Sequence, residues 1–111
     1  MMQLSQMLKY VRDTLTAVSS NVYHYSRPAN LAKAIIWQED AEDGSFHMNN
    51  HLAEQQIHGT IDYWTPDEYD QTADDIQAAL ESRSRIGWRL SSVQYEDETG
   101  LIHHEWDFWV A

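Results

Sequence analysis

Cysteine is absent from this 111-residue chain. No disulfide, cysteine-ligated zinc, iron–sulfur cluster or thiol nucleophile can be built from it, and the composition fits a reducing compartment. Glycine occurs four times and proline twice. That is too little glycine for a loop that cradles phosphate, and neither a P-loop, a G-x-G-x-x-G nor a G-x-S-x-G pattern occurs. Basic residues are also scarce: seven Lys and Arg stand against eighteen Asp and Glu, for a formal net charge of −11. Such a charge opposes wrapping of a phosphate backbone and favours basic partners. No apolar run approaches the length of a membrane span. The opening stretch MMQLSQMLKYVRDTLT breaks its apolar positions with Lys9, Arg12 and Asp13, so no signal peptide is expected either.

What the chain has is apolar and aromatic surface. Hydrophobic residues make up 42% and aromatic residues 12%, including five Trp. A chain of this length reads as one domain, residues 1–111, able to bury a core without metals or cross-links. Leu4, Leu8, Val11, Leu15 and Val18, widened by Met7, follow helical spacing over residues 3–18. Asn21–Ser26 reads as a short strand that Arg27-Pro28 ends. Residues 33–39 form a second strand, with Ile35 and Trp37 on one side and Ala34 and Ile36 on the other. The polar stretch 40–51 reads as a loop suited to reaching a partner.

Residues 53–64 form a third strand. Ile57, Gly59, Ile61 and Tyr63 share one face, and His58, Thr60, Asp62 and Trp64 the other. Gly59 marks a bulge or a close backbone approach. Thr65-Pro66-Asp67-Glu68 has the form of a capping box with proline at the first helical position, which predicts a helix over 66–83 with Tyr69, Ala73, Ile76 and Leu80 inward. Arg83 and Arg85 suit its negative end. Over 86–96, Trp88 and Leu90 have one parity and Val93 and Tyr95 the other, so a bulge near Ser91-Ser92 is expected. Asp97–Gly100 is a hairpin turn, and 101–110 the last strand, with Ile102, His104, Trp106, Phe108 and Val110 on one face. The fold class is therefore α+β. A mixed, mostly antiparallel sheet of about five strands carries two helices on one face, in the order α-β-β-β-α-β-β. The other face alternates charged residues with Trp64 and Trp109.

Six His invite a metal reading. The adjacent pair His103-His104 points to opposite faces of a strand, however, and ligand spacing is otherwise missing. Asp62, Glu96, Glu105 and Asp107 can lie on neighbouring strands, yet a general acid–base pair needs a cleft that sequence does not supply. No catalytic residue, cofactor or metal site is expected. Arg83, Arg85 and Arg89 form the basic cluster; beyond helix-end complementarity, they could dock on acids of a neighbouring subunit. Asp43, Phe46, Met48, Trp64, Arg83, Arg85, Arg89 and Trp109 are the candidate residues for contact with a subunit or partner.

Several stretches, MLKYVRDTL, GTIDYWTPDEYD, DDIQAAL and WRLSSVQYEDETGLIHHEW, together resemble the tail-terminator or tail-completion proteins of long-tailed phages and prophages. The resemblance spans most of the chain and is weakest over 28–52. It implies a protein that caps the finished tail tube, usually as a hexameric ring, and joins it to the head connector. Its partners would be copies of itself, the tail-tube proteins and the connector. It would work in the host cytoplasm during assembly and then in the virion, with DNA passing through the ring without specific binding. The family has no catalytic residues to carry over. The alternatives are another neck or head-closure component, a tail-chaperone-like component, a non-phage intracellular protein-binding module and, last, a small enzyme.

Overall fold

Helical periodicity at the start of the chain produces helix α1, Leu4–Thr16. The computed structural model describes residues 2–26, 29, 32–43, 46–48 and 51–111, with backbone alone for 46–48 and 51–54. The buried stripe of α1 is Met7, Val11, Thr14 and Leu15, while Leu4 is 48% exposed. The stripe is thus rotated from the Leu4–Leu8 line that spacing suggests, because a threonine joins it. Thr14 tolerates burial by donating its hydroxyl to the Tyr10 carbonyl at 2.7 Å.

Among the described residues, seven strands follow: β1 Val22–His24, β2 Ile35–Glu42, β3 Phe46–Met48, β4 His51–Glu54, β5 Ile57–Thr65, then β6 Ile86–Glu96 and β7 Leu101–Val110 after helix α2, Gln71–Glu81. Five of them make the main sheet in the order β1-β2-β5-β7-β6. The β1–β2 pair is parallel and the other pairs are antiparallel. The architecture is the expected α+β order α-β-β-β-α-β-β, with one addition. The stretch 40–51, expected to be a loop, extends β2 to Glu42 and then contributes to an antiparallel ribbon of β3 and β4. The Asp43 N–H donates to the Gln56 carbonyl at 2.9 Å, so the β2–β5 pairing runs on toward the ribbon. The expected strand 53–64 is accordingly split at residues 55–56. Strands of three and four residues are too short to leave an alternation to read in the sequence.

The second helix starts later than its apparent capping box. Thr65 is the buried last residue of β5, paired with Ile102, and is not a helix cap. Tyr69 takes a left-handed conformation (φ 57°), which stops a helix from running through it, and its side chain is 96% exposed. Asp70 is the actual N-cap. Its carboxylate accepts from the Thr72 N–H at 2.7 Å, the Tyr63 hydroxyl at 3.0 Å and the Thr65 hydroxyl. Thr65 is already engaged with the Asp67 N–H at 3.1 Å. A carboxylate has room for three donors where a threonine cap serves one, and this decides the start site. At the other end α2 stops at Glu81, so Arg83 and Arg85 lie beyond it and its last turn holds no basic residue.

Both helices cover one face of the sheet. Met7, Val11 and Leu15 of α1 and Ile76 and Leu80 of α2 meet Ile35, Trp37, Ile61, Tyr63, Trp106 and Phe108. Each such side chain contributes roughly 1.5–3 kcal/mol by leaving water. The Trp106 indole N–H donates to Gln77 at 3.0 Å and ties the sheet to α2. Gly59 sits under the Phe108 ring with the Gln38 carbonyl beside it, and a Cβ there would overlap both. The expected bulge in β6 is present between Leu90 and Ser92, and Gly100 turns the β6–β7 hairpin at φ 69°. The bulge returns Val93 and Tyr95 to the side of Trp88 and Leu90. At about 1.5 Å per residue the two helices reach only roughly 20 and 16 Å, whereas β6 extends roughly 36 Å at about 3.3 Å per residue. Leu90, Val93 and Tyr95 consequently stay 42%, 52% and 64% exposed.

Two substitutions test this account by urea denaturation at neutral pH. Asp70→Ala is expected to lower stability by about 2 kcal/mol, through loss of the cap and of the acceptor for two hydroxyls. Gly59→Ala is expected to lower it by about 1–3 kcal/mol through overpacking against Phe108 and a fixed carbonyl. Losses below about 0.5 kcal/mol would contradict the assigned roles.

Candidate functional site

Strand alternation sends Asp40 of β2, the even residues His58, Asp62 and Trp64 of β5, and the odd residues His103, Glu105, Asp107 and Trp109 of β7 to the face that the helices leave open. The register sets His58 opposite Trp109, Asp62 opposite Glu105, Trp64 opposite His103 and Arg89 opposite Asp107. The result is a field of carboxylates and imidazoles framed by two indoles.

His58 lies at its densest point. Its Nδ1 is 2.7 Å from Asp40, its Nε2 is 3.0 Å from Asp107, and the Trp109 ring centroid is 5.2 Å away. Arg89 reaches across from β6 to the second oxygen of Asp107 at 2.7 Å. Two carboxylates on two ring nitrogens call for two N–H donors, which is the imidazolium form. Burial pushes the His58 pKa down, but the bonds to Asp40 and Asp107 outweigh it and hold the pKa above the ordinary 6.5. Asp107 moves the other way. Its bond to Arg89 dominates, and His58 adds to it, so its pKa lies below the ordinary 3.8.

A second group surrounds His103. Its Nε2 is 2.7 Å from Asp62, its Nδ1 faces Glu96 at 3.8 Å, and its ring stacks on Trp64 at 4.3 Å with the planes 12° apart. One donor atom from each of Asp62, His103 and Glu105 lies within 4.8 Å of the others. Weighing His103 against its neighbour His104 missed this trio. Its members are linked by the cross-strand register of β5 and β7, which depends on how the whole sheet pairs.

The residues expected to meet partners are distributed unevenly. Trp64, Arg89 and Trp109 lie on the open face. Asp43 joins them by accepting the Trp109 indole N–H at 3.0 Å, although 66 residues separate the two in sequence. The basic cluster does not hold together as one patch. Arg83 places its guanidinium 5.7 Å from the Tyr10 ring of α1, and its Nε is buried without a hydrogen-bond partner among the described residues. Arg85 donates to the Ala111 carbonyl at 3.1 Å. The side chains of Phe46 and Met48 lie outside the described residues. Around Arg85 and Trp109, an open hollow of about 450 Å³ is lined also by Gln55, Gln56 and Gly87. No described helix is long and apolar enough to cross a membrane.

No protein-family model matches the sequence, and no curated protein matches it. Among solved structures, one chain from the "Virion of native gene transfer agent (GTA) particle" has the same fold. The TM-score is 0.56 and the identity 17%, over 99% of this chain and 97% of that one.

The His58 cluster carries a pH signature. A raised histidine pKa stabilises the fold fully below about pH 6.5, and the gain disappears as pH climbs through the higher folded-state value. Asp107 does the reverse: its stabilisation is present above the ordinary carboxylate range and fades as acid protonates it. Denaturant unfolding of the wild type and His58→Gln across pH 5–9 is therefore expected to show a wild-type advantage at the acid end of that window that shrinks toward the alkaline end. An advantage that grew with pH would be the wrong sign.

Proposed function

We propose that this chain is a structural component of a phage-type particle, acting at the tail end or head–tail junction, where it caps the tail tube and joins it to the head connector. The observation that carries the reading is the end-to-end fold likeness to a virion chain, 99% of one covered by 97% of the other. The sequence segments that resemble tail-completion proteins fall on α1, β5, α2 and the β6–β7 hairpin, so they coincide with the scaffold of the fold.

The surface supports assembly. Among the described residues, strand β6 forms one edge of the sheet over eleven residues and pairs only with β7. It presents Leu90, Val93 and Tyr95 to solvent, and an edge of this kind is a template for contact with another chain. The open face offers a different chemistry, with Trp64, Trp109, Asp43 and Arg89. A ring requires two unlike patches that dock on each other, and these two surfaces meet that requirement. The partners are then further copies of this chain, the tail tube and the connector. The net charge of −11 would keep passing DNA from adhering to the inside of such a ring. The chain would assemble in the host cytoplasm and end in the virion, with no chemical step assigned to it.

Deletion of the gene from its parent phage or prophage, followed by electron microscopy of the particles, tests the reading. Overlong tails with unattached heads are expected. Tails of normal length would remove tail capping and leave another neck component or a protein-binding module outside the particle.

A further inference from the structure

Asp62, His103 and Glu105 differ from the neighbouring His58 cluster in how their charge is balanced. At His58, each ring nitrogen is used by a carboxylate, and Arg89 supplies a permanent cation to Asp107. Around His103 no such cation is present among the described residues. Asp62 has His103 alone as its ion-pair partner among the described residues. Glu105 makes no hydrogen bond or ion pair there, although it stands directly opposite Asp62 in the ladder. Two carboxylates at paired positions, with one imidazole beside them, form a charge pair that a cation would relieve.

The geometry is that of a ligand set. One donor atom from each residue lies within 4.8 Å of the others. All three residues are only partly exposed and are carried by the two central, fully paired strands. The ring of His103 is held by its stack on Trp64. Its Nε2 points into the trio while its Nδ1 faces Glu96 at 3.8 Å. That separation is too long for a hydrogen bond, but a metal-bound histidine commonly hands its second nitrogen to a carboxylate, and Glu96 is the one within reach.

We propose that Asp62, His103 and Glu105 bind a divalent first-row transition ion of the zinc or manganese class, with Glu96 as the outer partner of His103. One imidazole nitrogen with two carboxylate oxygens suits these ions better than magnesium or calcium, which take oxygen alone. On loading, the ring takes the tautomer with its proton on Nδ1, toward Glu96, and the freed Nε2 lone pair and a carboxylate oxygen turn to the ion. Three protein donors leave coordination positions open on the exposed side of the sheet. The inference rests on these residues alone and stands whether or not the chain caps a tail.

Isothermal titration of the full chain with zinc, manganese and magnesium chlorides at pH 7.5 tests it. Zinc or manganese is expected to bind at one ion per chain, and magnesium much more weakly. Asp62→Asn and Glu105→Gln should each weaken binding by at least about 10-fold, as should Glu96→Gln, while His58→Gln leaves it unchanged. Glu105→Gln removes no bond of the fold, so it carries the test even if Asp62→Asn unfolds the chain. Absence of one-to-one binding, or binding that survives Glu105→Gln and is lost in His58→Gln, overturns the proposal.

Discussion

The pairing of β5 with β7 is the constraint on which the other features depend. Nine consecutive partners, from Ile57 with Val110 to Thr65 with Ile102, run without a register shift. Along β5, burial alternates at every residue, buried then half-buried. A slip of one position would turn Asp62, Glu105 and Asp107 into the helix-covered layer and expel Ile61, Trp106 and Phe108 from it. The cost of burying unpaired carboxylates makes that alternative inaccessible. Gly59 reinforces the choice, because only a residue without a side chain leaves room for the Phe108 ring at its partner position. One ladder thereby defines the core on one side and the polar field on the other.

The polar field shows how similar residues reach different outcomes when one cation is moved. Both histidines stand between carboxylates contributed by different strands. At His58 the additional guanidinium of Arg89 completes the balance, and the cluster becomes a clasp across β2, β5, β7 and β6. At His103 the corresponding position on β6 is Ser92, opposite Glu105, and Gln94, opposite His103. Neither carries charge. The bulge between Leu90 and Ser92 sets this offset. Had β6 continued without it, side-chain parity beyond Leu90 would be reversed and the surroundings of Glu105 would change.

Features governed by local period were legible from the residues themselves. The strand faces of β5 and β7, the bulge at Ser91-Ser92 and the turn at Gly100 each follow from alternation or from a positive φ, and each is found in place. Features governed by competition among distant groups were not. The segment Thr65–Glu68 has every local mark of a helix start, yet Asp70 takes that role because the Tyr63 and Thr65 hydroxyls converge on it. Arg83 and Arg85 lie at a helix end in sequence, but they spend their guanidinium groups on the Tyr10 ring and the Ala111 carbonyl. The ribbon of β3 and β4 escaped notice because strands of three and four residues are too short to show a period. The trio at His103 needed the register itself, which no single strand encodes.

The two edges of the main sheet are unequal, and this bears on how copies could meet. On one side β1 offers three residues before Tyr25 leaves the extended region at φ 75°. On the other, β6 offers eleven, with neither lysine nor proline among them. Edge strands are usually blunted by such residues, by brevity or by bulges. Here β1 is short, whereas β6 has only its bulge and the charges of Arg89 and Glu96. A three-residue edge cannot pair along an eleven-residue one, so backbone pairing between the two edges cannot account for a ring contact of useful size. In the ring proposed above, the contact would be made largely by side chains, with the apolar row Leu90, Val93 and Tyr95 as its driving surface and an unlike patch on the next copy as its seat. An assembly built in that way would turn the exposed edge from a liability of the isolated chain into a driving surface for association.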